Sequence, residues 1–384
     1  MREPMLVGHL SDTHLGASPY GLREREDDFY EAFEESMQVM IKDRVDIIIH
    51  AGDIFDVPRP SGTALVKLVG LLKQLNEKGI RFYYTLGEHD ISRLYETPSA
   101  MLYQRAGLAT YLEDGKPLTV DGLTLVGFHK RRRTEISELQ QKLNAIDAMV
   151  QGLSGKKVLV LHQALTEFHQ FAGELTSADL PKRFDYYAMG HLHDRFEKKF
   201  EDLGGPLCYP GSTDATGNEG IKDSRKGFYI VDFTGSGAKP EWVELTSSRR
   251  RLNREIQYEE LKEQVARLLI KIAELKKKPL LNLAIKGLDI DSAKVTSAIR
   301  ALQEKCLYCQ WEPVEERVTS AKDYQERPSD IDEEMENIAL KVLGEKKKAA
   351  FALEEFLPLA QSGKSEEVTD LLWSAFVEGR FEEQ

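Results

Sequence analysis

Five short apolar runs rich in branched side chains each end in polar residues, and this repeat restricts the possible folds more than any other feature of the chain. The runs cover residues 5–10, 45–50, 80–86, 157–161 and 185–189. Segments with helical periodicity lie between them, at 23–42, 61–76, 99–105 and 134–151. Strands that alternate with helices predict an α/β fold, in which the strand ends point their polar residues the same way.

The rest of the chain predicts further strands, a second small domain and a helical tail. Asp-Gly and Gly-Ser-Gly turns separate runs that predict antiparallel strands, at 119–127, 206–209, 226–233 and 240–245. A β-α-β-α-β pattern then follows, at 254–257, 259–276, 280–285, 292–304 and 308–314. Three helical stretches with little core of their own end the chain, at 333–343, 348–360 and 366–378. We therefore predict three parts: a first domain at 1–248, a small α/β domain at 249–316, and a linker with a helical tail at 317–384.

Composition excludes several classes of protein. The chain has 384 residues, of which 41% are hydrophobic and 30% charged, as in soluble proteins of two or three domains. No apolar run approaches the roughly 20 residues that a membrane-spanning helix needs. Three cysteines cannot form a disulfide framework. We expect a cytoplasmic protein that does not contact a membrane.

Acidic and histidine side chains follow all five strands of the repeat. They are Asp12 and His14; Asp53; Glu88, His89 and Asp90; His162; and His191 and His193. Open α/β sheets bind ligands beyond the carboxyl ends of their strands, so this is where a site is expected. Mixed imidazole and carboxylate ligands suit a pair of Mn²⁺, Fe²⁺ or Zn²⁺ ions, and a two-metal centre suits the hydrolysis of phosphate esters.

The motifs that contain these residues resemble those of a known superfamily. Asp12-Thr-His14, Gly52-Asp53-Ile-Phe-Asp56, Gly87-Glu88-His89-Asp90, His162 and Gly190-His191-Leu-His193 are similar to the ordered motifs of the calcineurin-like metallophosphoesterases. His9-Leu-Ser-Asp12, His162-Gln163 and Tyr209-Pro-Gly-Ser212 resemble the SbcD-type (meiotic-recombination-eleven) family of DNA double-strand-break repair nucleases. The resemblance covers residues 5–245 by motif and the remainder by arrangement. It implies a metallophosphoesterase sandwich of mixed sheets flanked by helices, a small α/β capping domain and a helical C-terminal tail.

The resemblance also implies a role for each motif residue. Asp12, His14 and His193 would hold one metal ion, His162 and His191 the other, and Asp53 would bridge the two. His89 would sit over the scissile phosphate, oriented by Asp90. Glu88 stands where the family usually has asparagine; a carboxylate can still bind metal, but it adds a negative charge beside an anionic substrate.

The family's activity gives the leading functional hypothesis. It is Mn²⁺-dependent exonuclease and endonuclease action on DNA ends, with two bound ions. The family's arrangement adds a homodimer through helices near 61–76 and 99–105, and an SMC-like coiled-coil ATPase partner that binds the C-terminal helices. Two alternatives stay open: a small-molecule or protein phosphatase with the same two-metal centre, or a weakly active DNA-end tether because of Glu88.

Net charge gives a mixed indication about DNA. The chain carries a formal charge of -12, which is unusual for a protein that binds a polyanion. Residues 249–312, however, hold 14 Lys and Arg against 9 Asp and Glu. The predicted DNA contacts are Lys130, Arg131 and Arg132 in the first domain, and Arg249, Arg250, Lys276 and Lys277 in the basic segment.

Overall fold

The strands of the first 245 residues form two mixed sheets. The computed structural model describes residues 5–92, 94, 96–169, 173–315, 339–357 and 365–377. Its first twelve strands are β1 (Leu6–Leu10), β2 (Ile47–Ala51), β3 (Arg81–Thr85), β4 (Thr110–Tyr111), β5 (Leu118–Val120), β6 (Leu123–Phe128), β7 (Lys156–His162), β8 (Tyr186–Gly190), β9 (Phe196–Lys198), β10 (Leu207–Tyr209), β11 (Gly227–Asp232) and β12 (Lys239–Glu244). One sheet has the order β12-β11-β1-β2-β3-β4 and the other β5-β6-β7-β8-β10-β9.

The central strands are apolar on both faces because each face is covered. In β2, Ile47 and Ile49 pack between the two sheets, together with Val158 and Val160 of β7. Ile48 points the other way and joins a core under helices. Strands buried on both faces are read as continuous apolar runs rather than as alternating ones, which is why these segments were recognisable in the sequence.

Four helices cover the outer faces of the two sheets. They are α1 (Arg23–Lys42), α2 (Gly62–Glu77), α3 (Met101–Arg105) and α4 (Ile136–Val150). Phe33 and Met37 of α1 and Leu68 of α2 pack in one outer core. Leu139 and Leu143 of α4 pack in the core on the opposite side. The first part of the chain is therefore a sandwich of two mixed sheets flanked by helices, which confirms the predicted fold class.

A three-stranded parallel sheet follows and has its own core. It contains β13 (Arg251–Gln257), β14 (Leu280–Gly287) and β15 (Tyr308–Glu315), joined by α5 (Leu261–Ala273) and α6 (Ser292–Lys305). Leu281, Leu283 and Ile285 alternate along β14 and pack with the two helices. Residues Met1–Glu315 form one compact unit that contains all three sheets. The domain boundary at 248 stays a prediction.

The other unit, Glu316–Gln384, is helical in its described residues apart from a bend at 344–345. It contains α7 (Lys346–Phe351), a π-helical turn at Ala352–Phe356, and α8 (Ser365–Val377). Most of the predicted helix at 333–343 lies outside the described residues. In the described ranges, none of the helices combines the length and the apolar character that a membrane span requires.

One predicted strand was wrong in detail. The segment 119–127 is a hairpin, because Asp121 and Gly122 both adopt positive φ, at 46° and 81°. Its second strand, β6, pairs in parallel with β7 rather than extending an antiparallel layer. The five motif strands are also divided between the sheets: β1, β2 and β3 lie in one, β7 and β8 in the other.

A buried ion network joins the three-stranded sheet and its two helices, called the three-stranded unit below (residues 251–315), to the sandwich. Asp28 on α1 accepts hydrogen bonds from Arg25, at 2.6 Å, and from Arg249, at 2.6 and 2.9 Å. Arg25 is fully buried and continues the network to Asp214, at 2.9 Å. Burial alone would raise the pKa of Asp28, but hydrogen bonding and charge from Arg249 and Arg25 outweigh it and lower the pKa.

We predict that Asp28→Ala lowers the free energy of unfolding by about 3–5 kcal/mol, because it leaves two buried guanidinium groups without their shared carboxylate. Urea unfolding measures the change. Glu31→Ala is the control: Glu31 is half exposed and, among the described residues, forms an ion pair with Lys277 alone, so its loss should cost below about 1 kcal/mol. Since the folded pKa is lowered, the contribution of Asp28 is present above the unfolded pKa of about 3.9 and is lost as the pH falls through the folded value. Equal losses of unfolding free energy in Asp28→Ala and Glu31→Ala would contradict the stabilising role of the buried ion network.

Candidate metal centre

The carboxyl ends of strands from both sheets meet at one edge of the sandwich. Asp12 and His14 follow β1, Asp53 follows β2, and Glu88 follows β3, all from the first sheet. His162 ends β7 of the second sheet, and the loop after β8 supplies His191 and His193. The site is thus built by two sheets, and neither sheet alone contains it.

The backbone of these loops is held in an unusual conformation. Asp12, His14, Asp53 and His191 have φ values of 52°, 42°, 55° and 93°. Such values cost free energy for any residue with a Cβ and occur mainly where surrounding structure enforces them at functional sites. The backbone N–H of Asp12 donates to Gly52 O at 3.0 Å, and that of His14 to Asp53 O at 3.2 Å, so the two loops support each other.

Two glycines allow the close approach of the loops. A Cβ on Gly52 would lie 2.3 Å from His162 Nδ1, and one on Gly87 would lie 2.1 Å from Asp53 Oδ1. Gly52 also has a φ of 91°. Any side chain at either position would displace a candidate metal-binding residue, which explains glycine in the Gly-Asp and Gly-Glu-His motifs.

The structure brings together all seven predicted metal-binding residues. Donor atoms lie within 4.8 Å of one another in four groups: Asp12, His14 and His193; His14, Asp53 and His89; Glu88, His162 and His191; and Asp12, Asp53 and His162. Asp12, His14, Asp53 and His162 each belong to two groups, so the four groups form one connected cluster. His89 also belongs to one group, although the sequence assigned it a catalytic role alone.

The donor atoms fit divalent metal ions in chemistry and in spacing. His14 Nε2 lies 3.2 Å from His193 Nε2, and His162 Nε2 lies 3.3 Å from Asp53 Oδ2 and 3.0 Å from Glu88 Oε2. Donors bound about 2.1 Å from one ion at right angles lie about 3 Å apart. Nitrogen and oxygen donors without sulfur suit Mn²⁺, Fe²⁺ or Zn²⁺. The family's two-metal centre therefore fits the residues present.

The ring of His162 directs its Nε2 atom at the acidic side chains of the cluster, 3.0 Å from Glu88 Oε2. Its Nδ1–H donates to Ala51 O at 2.6 Å, which fixes the orientation of the ring. Burial alone would lower the pKa of His162, but the charge of Asp53 outweighs it and raises the pKa well above its usual value. In return, His162 lowers the pKa of Asp53 to about 2, against the effect of burial.

His50 supports the first loop from beneath. Thr13 Oγ1 donates to Ile54 O at 3.0 Å and therefore accepts from His50 Nε2–H at 2.9 Å. Burial lowers the pKa of His50 to about 3, so the ring is neutral. This bond holds Thr13, which lies between Asp12 and His14. His50 therefore supports the loop, and it belongs to none of the groups of candidate metal ligands described above.

The expected contact between His89 and Asp90 was wrong. The ring of His89 donates from Nδ1 to Asp56 O at 2.7 Å. Asp90 instead accepts the backbone N–H groups of Gly87, Ile54 and Phe55, at 3.0 to 3.2 Å. Neighbouring side chains in this turn point to opposite sides, so Asp90 holds the loops together. Burial and then the charge of Asp53 raise the pKa of Asp90 to about 7.

Two glutamates at the site were missed by the sequence reasoning. Glu174 accepts from Lys130 Nζ at 2.6 and 2.8 Å, and that Nζ lies 3.2 Å from His191 Nε2. Glu219 lies 3.2 Å from Nδ1 of His193. Glu174 lies well inside the long loop between β7 and β8, and Glu219 lies between β10 and β11. Neither directly follows the end of a strand of the repeat, so no local pattern marks them.

Ion pairs divide the predicted DNA contacts into two sets. Lys130 pairs with Glu174, Arg131 with Asp114, and Arg249 and Lys277 with Asp28. Arg132, Arg250 and Lys276 are exposed. The first set is paired with acidic side chains, whereas the part of the chain that the structure describes offers no acidic partner to the side chains of the second set.

Comparison with known proteins places the chain in a family. The calcineurin-like phosphoesterase family matches residues 5–195. The DNA double-strand break repair protein Mre11 of Thermoplasma acidophilum is 30% identical over 298 residues, which cover 73% of this chain and 76% of the relative. The chain belongs to the Mre11 family of calcineurin-like phosphoesterases.

Other family members match over a smaller share of their length. The Mre11 proteins of Methanocaldococcus jannaschii and Saccharolobus solfataricus are 34% and 35% identical over 60% and 59% of this chain. The chain spans 63% and 60% of the length of these two relatives. Among solved structures, a dimetal phosphatase from Danio rerio has 13% identity and a TM-score of 0.41, covering 64% of this chain and all of that one.

We predict that the protein binds two Mn²⁺ ions per chain, and that Asp53→Ala weakens both by at least about 100-fold, more than outer-shell partners usually contribute. The reason is that Asp53 shares donor groups with both His14 and His162. His162→Ala should weaken one ion only. Isothermal titration with Mn²⁺ measures the stoichiometry and both affinities. His129→Ala, outside all four groups, is the control; loss of a single ion in Asp53→Ala would contradict a shared carboxylate.

Proposed function

We propose that the chain hydrolyses phosphodiester bonds in DNA, with two Mn²⁺ ions, in the processing of double-strand-break ends. The observation that carries the proposal is the connected cluster in which Asp12 and Asp53 each join two donor groups. Membership of the Mre11 family supports DNA as the substrate. Residues 1–248 would be the nuclease domain, 249–316 the capping domain and 317–384 the linker and partner-binding tail.

The donor groups suggest which residues hold each ion. Asp12, His14 and His193 would hold one ion, Glu88, His162 and His191 the other, and Asp53 would bridge them. When bound, such ions supply an activated water and neutralise charge on phosphoryl oxygens.

His89 is placed to handle a proton beside that centre. Its Nδ1–H donates to Asp56 O, so Nε2 is the nitrogen left for the substrate. Its ring centroid lies 4.8 Å from that of His14. Burial opposes protonation, but the charge of Asp53 raises the pKa of His89 above its usual value. A protonated Nε2 can donate to the oxygen that leaves phosphorus.

Glu88 is engaged with the histidines rather than directed away from them. Its two oxygens lie 3.0 Å from His162 Nε2 and 2.9 Å from His191 Nδ1. These contacts support a metal-binding role.

The surface offers support for the proposed partners. Arg132, Arg250 and Lys276 are exposed and would contact DNA phosphates. Val66 of α2 and Leu102 of α3 are 71% and 52% exposed, as expected for apolar residues that a second copy of the chain would cover. In the tail, Leu372 and Val377 of α8 are also exposed, which suits a helix that binds the SMC-like coiled-coil ATPase.

We predict Mn²⁺-dependent cleavage of a linear DNA duplex, reduced by about 10²–10⁴-fold in His89→Ala, the usual effect of removing a general acid. The purified protein is tested side by side on the duplex, a small aryl phosphodiester and a phosphomonoester. His129→Ala should keep the activity. Turnover of the monoester without cleavage of DNA would favour the phosphatase instead.

The Glu88→Asn variant distinguishes the nuclease hypothesis from the DNA-end tether hypothesis. Similar or lower cleavage of DNA by Glu88→Asn is expected if Glu88 binds metal. A large gain in cleavage, from a wild-type protein that is almost inactive, would favour the DNA-end tether.

We predict that a chain ending at Val318 keeps Mn²⁺-dependent cleavage but no longer binds the ATPase partner. The reason is that Met1–Glu315 is a compact unit that contains every candidate metal-binding residue. Co-elution with the ATPase subunit on gel filtration measures binding. The substitution Leu372→Glu in the full-length chain should by itself weaken binding of the ATPase subunit. If the truncated chain still binds that subunit, the tail is not the partner-binding segment.

A further inference from the structure

His193 contacts a glutamate that lies outside the family's motifs. Its Nε2 faces the metal-binding cluster, 3.2 Å from His14 Nε2 and 3.8 Å from Asp12 Oδ1. Its other nitrogen, Nδ1, lies 3.2 Å from both Glu219 Oε1 and Thr216 Oγ1. A histidine that binds metal through one nitrogen usually donates from the other, and a carboxylate acceptor fixes the ring and makes it a stronger ligand.

Glu219 is itself held firmly in place. Oε1 accepts from Ser212 Oγ at 3.0 Å and from the backbone N–H of Thr216 at 2.9 Å. Oε2 accepts from Lys226 Nζ. The ammonium group of Lys226 is buried and finds two more acceptors, His193 O at 2.9 Å and Ser212 Oγ at 2.7 Å. All three donors of Lys226 are therefore used around Glu219 and His193.

The first residue of β13 reaches the same carboxylate. Arg251 is 4% exposed, and its Nη1 lies 3.7 Å from Glu219 Oε2. Its Nη2 donates to Ser224 O at 3.3 Å. Among the described residues, Nη1 has no hydrogen-bond partner, so Glu219 is the acidic group that this end of the guanidinium faces.

The buried ion network fixes the other end of the same loop. Arg25 donates to Asp214 Oδ1 at 2.9 Å and to Ala215 O at 3.0 Å, and it shares Asp28 with Arg249. The segment Arg249–Arg251 is thus linked to the loop 212–219 by two routes. One runs from Arg249 through Asp28 and Arg25 to Asp214. The other runs from Arg251 to Glu219 and ends at His193.

We propose that Glu219 is a positioning residue for His193, and that Arg251 couples the start of the three-stranded unit to metal binding at His193. A displacement of Arg249–Arg251 would move the carboxylate that orients the ring. By reciprocity, metal binding at His193 stabilises the attachment of the three-stranded unit. The inference rests on the two-metal centre of the proposed function, but it does not depend on DNA as the substrate.

Titration with Mn²⁺ at fixed pH tests the coupling. Glu219→Gln should weaken one of the two affinities by about 10–100-fold, as outer-shell partners of metal-binding histidines do, and leave the other unchanged. Arg251→Gln should weaken the same ion, and the double variant should be no weaker than Glu219→Gln alone, because both residues act along one route. Arg251→Lys should restore part of the affinity. Arg254→Gln removes an exposed arginine of the same strand and is the matched control.

A second measurement begins with the wild-type chain, so its first result does not depend on the folding of any variant. Mn²⁺ should slow hydrogen exchange of the backbone amides of β13, and this protection should be lost in Glu219→Gln. Unchanged exchange in the wild type, or equal Mn²⁺ affinities in Arg251→Gln and Arg254→Gln, would overturn the coupling. Unchanged affinities in Glu219→Gln would overturn the positioning role. Two bound ions without DNA cleavage would overturn the proposed function alone, and a wild type that binds no Mn²⁺ would overturn both.

Discussion

Asp12 and Asp53 set the requirement on which the rest of the site depends. Both carboxylates are buried, and an unpaired buried charge costs several kcal/mol. Imidazole rings from both sheets surround them, so the two sheets must bring their strand ends to the same edge. Four non-glycine residues in left-handed backbone conformations and two glycines without room for a Cβ are consequences of that requirement. Metal ions would satisfy the same carboxylates with more positive charge than the histidine rings provide.

The features that the sequence predicted are local ones. A strand followed by Asp12 or His162 is a continuous stretch, and its burial on both faces leaves an apolar run that can be read directly. Parallel strand ends then meet by the geometry of α/β sheets, so the cluster could be inferred before its distances were known. The helix α1 has the predicted bounds, and its apolar positions from Phe29 onward follow one helical face.

The features that the sequence did not predict join residues far apart in the chain. Lys130 and Glu174 are 44 positions apart, and Asp28 and Arg249 are 221 apart. No spacing rule relates such pairs, so a basic run looks the same whether its charges meet solvent, DNA or buried carboxylates. His89 donates to the backbone of Asp56 and not to the predicted partner Asp90 for another reason, which is the direction of each side chain in a tight turn. That direction depends on dihedral angles that residue type alone does not fix.

The use of basic residues for internal pairs also bears on how an acidic chain can act on a polyanion. Four of the seven basic residues predicted to contact DNA, Lys130, Arg131, Arg249 and Lys277, pair with Glu174, Asp114 and Asp28. The chain as a whole has a net charge of -12. Each phosphate contact by a free cation adds a salt-dependent increment to affinity, so few contacts mean weak general attraction. For the DNA substrate proposed above, the strongest attraction for a phosphate would then come from two divalent ions at the strand ends. Binding and hydrolysis would share one source of positive charge, and the geometry of His193 would influence both.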